Sequence, residues 1–582
     1  MSDVLQRFRA VEHAIPTQQH SWFLYGVGLE NLGKDQLPVE NTVPTNNADE
    51  LLVRCDATGL CFSDIKIITQ GGEHIRIKRD IAVDPVIMGH ESVVTVVKVG
   101  DNLKDKFSVG QRFVVQADIY INGQTRAYGY ALPGALTQYE TMGWEILNGD
   151  DGCYLLPIAE GTGYAQAALT EPWACVVHSY VLNYRQGVKN GGICLMVGGE
   201  GADALTLGET FTTNIPAKIV AVALPADLLA AVKATGAEVS EVGCNGQCGG
   251  PDALVETYTA GAGFDDIIVC GKVNDDCLEK LAAKLGRGGL CNIVCDQPTS
   301  RELSVDVGRI HYDDWYYVGN KGTDIGASYT SHRATTELKA GGSAWLLGAG
   351  GPMGQMHVQR ACEMPNGPAL IVASDIDPAR LQELRERFIP AAEAHGRTLI
   401  VLNPKDFSPE DFEAKLRELT GGRGFDDVVA LVPVPMLVKQ AAAHTADGGL
   451  LNIFAGVVRG TQCTLALDDV YLRNIRWVGS SGSKISDMVE TLRMAESGEL
   501  LTANAVAAIG GLNAVYHGLE LVKGQAIPGK IVIYQQIEDM PIIQLHELKD
   551  VMPTVAAKLR DGKYWTIEAE NELLRLKLQL PA

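Results

Sequence analysis

The stretch Ser343 to Asp377, SAWLLGAGGPMGQMHVQRACEMPNGPALIVASDID, decides how the rest of the chain is read. A short apolar run, Ala344 to Leu347, meets a turn, Gly348-Ala-Gly-Gly-Pro-Met-Gly354. A segment long enough for a helix follows. A second apolar run, Ala369 to Ala373, then leads to Asp375. Strand, glycine-rich turn, helix, strand and acid in that order describe a βαβ unit that takes a dinucleotide. The glycines let the backbone approach a pyrophosphate, and the helix N-terminus offers free N–H groups and a positive dipole end. Asp375, about 20 residues beyond the turn, can accept hydrogen bonds from a ribose 2′-OH. Taken alone, the glycines also fit a tight turn in a buried α/β core. The two strands and the acid favour the nucleotide.

Outward from this stretch the chain repeats itself. Gly191-Gly-Ile-Cys-Leu-Met-Val matches Gly341-Gly-Ser-Ala-Trp-Leu-Leu at an offset of 150 residues. Gly263-Phe-Asp-Asp matches Gly424-Phe-Asp-Asp at an offset of 161. Gly288-Gly-Leu matches Gly448-Gly-Leu, and Tyr317-Val-Gly matches Trp477-Val-Gly, both at 160. Four anchors in one order indicate two tandem nucleotide-type domains, 189–338 and 339–500, each long enough to bury its own core. The copies are not equivalent. The first turn reads Gly198-Gly-Glu-Gly-Ala-Asp-Ala204, which puts Glu200 and Asp203 where a pyrophosphate would sit. Ala223 stands where the second copy has Asp375. The first copy is therefore expected to have lost the dinucleotide and to serve packing, assembly or shaping of the site, or else to bind a different ligand.

The chain has 582 residues, 46% hydrophobic and 21% charged, which is a globular composition. A net charge of −22 argues against nucleic acid or an anionic membrane as partner. No apolar run reaches the ~18 residues of a membrane span, and the first residues lack the apolar core of a signal peptide, so a cytoplasmic protein is expected. Thirteen cysteines in scattered positions do not resemble a disulfide framework. Cys244 with Cys248, and Cys291 with Cys295, invite a second metal site, but buried free thiols are the preferred reading.

Residues 1–188 are rich in short β-like runs, among them Leu51 to Cys55, Ser92 to Val99 and Arg112 to Gln116, as in a partly closed antiparallel barrel. Here lie Cys61 in Gly-Leu-Cys-Phe-Ser-Asp64, His90 in Gly89-His-Glu91, and Glu171 in Glu171-Pro-Trp-Ala-Cys175. Thiolate, imidazole and carboxylate are the ligand types of Zn²⁺, and a catalytic zinc keeps one position open. Singly, each has a plainer reading: a core thiol, a turn histidine, a helix-start charge. Together, ahead of a nucleotide domain, they point to a metal.

These motifs resemble the zinc-dependent medium-chain alcohol and polyol dehydrogenases. The Cys/His/Glu set is similar to the sorbitol dehydrogenase branch. Gly351-Pro-Met-Gly354, Gly422 to Asp427, Asp447 to Gly456 and Val478 to Met488 resemble its sorbose 1-phosphate reductases, over residues 45–185 and 340–535. The resemblance implies an α/β fold, with a GroES-like β-rich catalytic domain at 1–188 completed by 501–540. Two tandem Rossmann domains with doubly wound parallel sheets would follow it, the second binding NAD, and 541–582 would form a helical tail. It implies zinc on Cys61, His90 and Glu171, with Glu91 beside the metal and able to exchange as a ligand. Ser63 would pass the substrate proton and Asp64 would support the ligands. Gly348, Gly350, Gly351, Pro352, Met353 and Gly354 would cradle the pyrophosphate. Asp375 would hold the ribose, and Pro433, Ala455 and Gly456 would line the nicotinamide end. Asp375 repels a 2′-phosphate, so NAD is preferred to NADP, with Arg380 close enough to temper the preference. One catalytic zinc is implied and no structural zinc, because Val115 to Leu136 contains no cysteine. The implied reaction is hydride transfer between NAD(H) and a polyol, sugar or sugar phosphate. The basic cluster His74, Arg76, Lys78 and Arg79 could bind a substrate phosphate, but a solvated charged loop is the preferred reading. Family members assemble as dimers or tetramers, and the second copy of the Rossmann domain can imitate such a contact within one chain. An epimerase or lyase with tightly held NAD, and a non-catalytic NAD-binding protein, remain the alternative readings.

Overall fold

The strand Leu51–Leu60 is buried along its whole length, because apolar clusters cover both of its faces. Leu51, Val53 and Cys55 pack with Val94, Val96, Phe113 and Tyr128. Leu52 packs on the other side with Val97 and Tyr139, as the two-residue alternation of a strand requires. In the computed structural model, which describes residues 4–181, 185–243, 250–330, 333 and 335–580, this strand is central to the first of two compact units. That unit comprises Met1–Val177, Gly351–Met356 and Gly482–Ala582. Its main sheet has eight strands. In spatial order they are Leu155–Pro157, Arg112–Val115, Glu91–Val99, Leu51–Leu60, Lys530–Tyr534, Val506–Gly511 and Ile543–Gln544, with Tyr139–Met142 also paired to Leu51–Leu60. The pairing is antiparallel except between Val506–Gly511 and Lys530–Tyr534.

The strand starting at Leu51 runs five residues past the expected end at Cys55, through Asp56 and Gly59, which read as turn residues. Asp56 is tolerated because Arg54, two residues back on the same face, pairs with it at 2.7 Å. The Arg54 guanidinium also lies 3.4 Å over the Phe8 ring. A neighbouring buried acid, Glu140, accepts from the Tyr128 hydroxyl and from Cys55 Sγ at 3.5 Å. Burial pushes its pKa up to about 8, with those two hydrogen bonds pulling the other way. A raised carboxyl pKa contributes stability that is complete below the unfolded value of about 4.3 and is lost as pH rises through about 8. Glu140→Gln is expected to flatten the fall of the urea midpoint between pH 5 and 8. An unchanged slope would refute this assignment.

The second unit, His178–Gly350 and His357–Ser481, holds two six-stranded parallel sheets. In the first copy the strands are Ile193–Gly198, Lys218–Val222, Glu238–Val242, Phe264–Cys270, Leu285–Val294 and Tyr316–Asn320. In the second they are Ser343–Leu347, Leu370–Ser374, Thr398–Leu402, Phe425–Ala430, Thr445–Ile453 and Arg476–Val478. Each sheet has the doubly wound order 3-2-1-4-5-6. One core joins them, with Leu195, Trp315 and Tyr317 from the first copy against Trp345, Val428 and Trp477 from the second. The copies differ after their first strand. The second continues into the twelve-residue helix Pro352–Glu363. The first has only the short turns Ala202–Ala204 and Thr210–Thr213.

Residues 541–580 form the short helices Leu548–Val551 and Pro553–Ala556 and the longer Ile567–Lys577. The last of these ties the tail to the first unit: its buried Glu570 accepts from Tyr164 N at 2.6 Å, Ala165 N at 2.8 Å and the Tyr534 hydroxyl at 2.9 Å. Those donors include two of the first amides of the helix Tyr164–Ala168, which have no partner within the helix. Among the described residues no helix is long and apolar enough to cross a membrane.

Candidate metal and cofactor sites

Three adjacent strand ends of the first unit converge on one polar spot. Cys61 follows Leu51–Leu60 and starts the helix Phe62–Gln70. His90 immediately precedes Glu91–Val99. Lys530 opens Lys530–Tyr534, on the other side of the central strand. Pairing sets Gly59 opposite Glu91, and a Cβ at Gly59 would lie 2.1 Å from Glu91 Oε2. Glycine there makes room for a carboxylate between strands.

One ligand atom from each of Cys61, His90 and Glu91 lies within 4.8 Å of the others. Asp64 accepts from the Cys61 amide at 2.9 Å, and its other oxygen lies 3.4 Å from His90 Nδ1. Glu91 is fully buried and ion-paired to Lys530. Glu91 Oε2, Asp64 Oδ1 and His90 Nδ1 are buried without a hydrogen-bond partner. Thiol, imidazole and carboxylate converging with unfilled lone pairs is the donor set of a zinc ion, so the residues fit the metal.

Burial opposes protonation of His90, but Tyr130 and Asp64 outweigh it and raise its pKa. Glu171 is in the first turn of the helix Thr170–His178. Burial pushes its pKa up to about 7, with His90 opposing and Glu91 adding to the rise. It therefore lies within electrostatic reach of the group but outside the three-residue cluster, which has Glu91 in the place expected for Glu171. Ser63 is half-buried in the first turn of the Phe62–Gln70 helix.

Three of the four basic side chains of the loop are engaged, while Lys78 is exposed. Arg76 is paired with Asp118 and sits 5.4 Å from the Tyr130 ring centre. The same ring packs 5.5 Å from His90. Arg79 donates to the Ala131 carbonyl at 2.6 Å, and burial lowers the His74 pKa to about 4. Motif and spacing do not single out Lys530, Asp118 or Tyr130. Only Lys530 carries a signal, a charge entering the apolar run Lys-Ile-Val-Ile-Tyr534. Of the suggested second metal site, Cys291 and Cys295 are buried free thiols, Cys277 is in a disulfide, and Cys244 and Cys248 lie outside the described residues.

In the second unit, the turn after Ser343–Leu347 folds onto the end of the next strand. Gly348 N and Ala349 N donate to Ser374 O at 2.8 and 3.0 Å. Gly350 N donates to Asp375 Oδ2 at 2.9 Å, and Asp377 N donates to Oδ1 at 3.1 Å. A Cβ at Gly350 would lie 2.7 Å from both Asp375 Oδ2 and Arg380 Cβ, while Gly351 faces open space. Pro352, Met353 and Gly354 form the first turn of the following helix, and Val432 packs beneath Gly348. Pro433 precedes the helix Pro435–Ala443, and Ala455 N donates to Ala430 O at 3.0 Å. This arrangement fits a pyrophosphate cradle with a ribose acceptor.

The first copy differs at the equivalent place. Gly199 N donates to Cys270 O at 2.7 Å and Glu200 N to Lys272 O at 2.9 Å. The four-residue helix Thr210–Thr213 is the first α-helix after this turn, in place of the twelve-residue helix of the second copy.

Two family models match the chain, an alcohol dehydrogenase GroES-like domain over residues 47–169 and a zinc-binding dehydrogenase over 352–497. The chain belongs to the zinc-binding medium-chain alcohol and polyol dehydrogenases, oxidoreductases that use a nicotinamide cofactor. Among particular proteins it is similar to mannitol-1-phosphate 5-dehydrogenase of Aliivibrio fischeri, 25% identical over 91% of this chain and 93% of that one. It is also similar to L-sorbose 1-phosphate reductase of Klebsiella pneumoniae, 23% identical over 94% and 96%. These alignments are too long to omit the first copy, so the similarity extends beyond 45–185 and 340–535. A solved alcohol dehydrogenase from Thermotoga maritima shares the fold, with TM-score 0.51 and 15% identity over 89% of this chain and 100% of that one.

Proposed function

We propose that the chain interconverts a secondary alcohol and a ketone of a polyol, sugar or sugar phosphate, with one zinc in the first unit and NAD on the second Rossmann copy. The observation that carries this is the convergence of the half-buried Cys61 with the buried His90 and Glu91. Two relatives matched over nine-tenths of the chain are named for a hexitol phosphate and a ketose phosphate, which favours a phosphorylated substrate.

When bound, the zinc supplies Lewis acidity toward the substrate oxygen and the nicotinamide supplies the hydride acceptor. The chain's own residues do the rest. Cys61, His90 and either Glu91 or Glu171 hold the metal. Asp64 fixes Cys61 through its amide and lies beside the His90 ring at Nδ1. Lys530 holds the Glu91 carboxylate. Tyr130 keeps one face of His90 dry. Ser63, at the helix start, carries the substrate proton outward. Asp375 accepts from the ribose and disfavours a 2′-phosphate, so NAD is preferred to NADP. No four-cysteine lobe accompanies the site, so one zinc per chain is expected. A dimer or tetramer would have to use a surface other than the edge strands Tyr316–Asn320 and Arg476–Val478, which pack against each other within the chain.

The direct test is a screen for NAD reduction at 340 nm over polyols and sugar phosphates, with metal content measured alongside. Turnover by a protein that holds no zinc would overturn the reading. So would tightly held NAD with conversion of substrate and no net change at 340 nm, which marks an epimerase or lyase. Asp375→Ala is expected to weaken NAD binding about 10-fold, roughly the loss of one charge-assisted hydrogen bond. Calorimetric titration with unchanged affinity would remove Asp375 from the cofactor site.

A further inference from the structure

The two Rossmann copies meet as the halves of a two-fold homodimer meet. The strands Leu303–Asp306 and Gln462–Leu465 pair antiparallel with Ser304 opposite Thr464, its own counterpart at the 160-residue offset. Tyr317 and Trp477, also counterparts, touch at 5.9 Å between ring centres. A Cβ at Gly319 would lie 2.5 Å from Tyr471 Cβ, and one at Gly479 would lie 2.7 Å from His311 Cα. Glycine and aromatic partner exchange places between the copies. Residue i meeting j while j′ meets i′ is the signature of an isologous contact.

The polar part of this contact breaks the symmetry. Loop 454–461 follows Thr445–Ile453 at the carboxyl end of the second sheet, the side on which doubly wound folds bind ligands. The first copy clasps that loop. His311 Nδ1 lies 3.1 Å from Ile453 O. Asp306 Oδ2 accepts from Gly460 N at 3.0 Å, and Val307 N donates to Thr461 O at 3.1 Å. Arg459 is paired with Asp313 at 2.9 Å and donates to Tyr312 O at 3.2 Å. The reverse contact keeps Tyr471, the counterpart of His311, donating to Gln297 O at 2.9 Å, and a Lys439–Glu302 ion pair outside the clasp positions, but it lacks the aspartate–arginine pair. The counterpart of Asp306 is Ala466 and that of Arg459 is Thr299. The counterpart of Asp313 is Arg473, which pairs with Asp447 and Asp469 of its own copy.

We propose that the first copy acts as a built-in partner that positions the nicotinamide-side loop of the second, through Asp306, His311 and Asp313. This rests on the reading that Ala455 and Gly456 face the cofactor. Asp313 and Arg459 are positioning residues, and fixing the loop lowers the ordering cost of NAD binding.

The test compares Asp313→Ala, Arg459→Ala and the double variant by NADH fluorescence titration, steady-state kinetics, zinc content and melting temperature. Each single variant is expected to raise the NADH Kd and the KM for NAD about 5-fold with kcat within about 2-fold. The double should be no worse than the weaker single, because both remove one coupled contact. Asp313→Glu should restore most of the affinity. Wild-type affinity in both single variants, or a lowered melting temperature with unchanged Kd, overturns the inference alone. A wild-type protein that binds no NADH overturns the proposed function as well.

Discussion

Cys61→Ala protein is expected to retain little or no zinc after purification and to lose at least about 1,000-fold in kcat/KM. Thiolate is the softest of the three converging donors and the one with the strongest preference for this metal. Without it, an imidazole and a carboxylate remain at a spot already crowded by Asp64 and Lys530. The loss of activity follows from the loss of Lewis acidity at the substrate oxygen, a contribution of several kcal/mol to the barrier. NADH titration should be close to wild type, because the glycine turn and Asp375 belong to a different set of contacts. Metal analysis and kinetics on one preparation decide the matter. Retained zinc with retained turnover would sink the metal assignment. Lost zinc with retained turnover would sink the catalytic role.

The second large effect is expected at Lys530. Its ammonium is buried and raised in pKa, because Glu91 and Cys61 outweigh the cost of burial. Lys530→Met leaves the Glu91 carboxylate without its cation in a site where Oε2 already lacks a donor. Breaking one partner of a buried pair costs about 3–5 kcal/mol. For a unit of this size that corresponds to a fall in melting temperature of about 10 °C. The metal-free protein should suffer most, since a bound cation can replace part of the lost charge. Adding Glu91→Gln should recover a good part of the loss, by removing the stranded charge. Thermal melts of wild type, Lys530→Met and the double variant, with and without a chelator, measure this. A melting temperature within about 2 °C of wild type in metal-free Lys530→Met would refute the electrostatic role.

Much of this architecture is legible in the residues because it follows from local rules. The pattern from Ser343 to Asp377 combines strand, glycine turn, helix and acid within one short segment, and each piece is where the motif needs it. The repeat is visible because Gly263-Phe-Asp-Asp and Gly424-Phe-Asp-Asp play the same structural part. The second aspartate of each is buried beside an arginine, Arg185 in one and Arg333 in the other. What local rules cannot show is which distant groups meet. Lys530 reaches Glu91 across 439 positions, and only strand pairing brings them together. The choice between Glu91 and Glu171 likewise depends on side-chain reach rather than on motif. The strand beyond Cys55 is hidden in the residues because Asp56 and Gly59 are turn formers, and their tertiary partners override that tendency. Charge at Glu200 and Asp203 is the only sign in the residues that the first turn differs, whereas the structure adds that a 3-10 turn and a four-residue helix stand where the second copy has a twelve-residue helix.

The pairing of Ser304 with Thr464 has a consequence for behaviour on dilution. Two separate subunits joined by such a contact come apart as their concentration falls, and their stability varies with it. Here the linker between the copies holds the partner at a high and constant effective concentration. The contact should therefore persist at nanomolar protein, and specific activity should not drift over dilutions that would separate a weak dimer. Covalent fusion also frees each half from having to match itself. One half can keep a nucleotide turn while the other abandons it, which identical subunits related by symmetry cannot do.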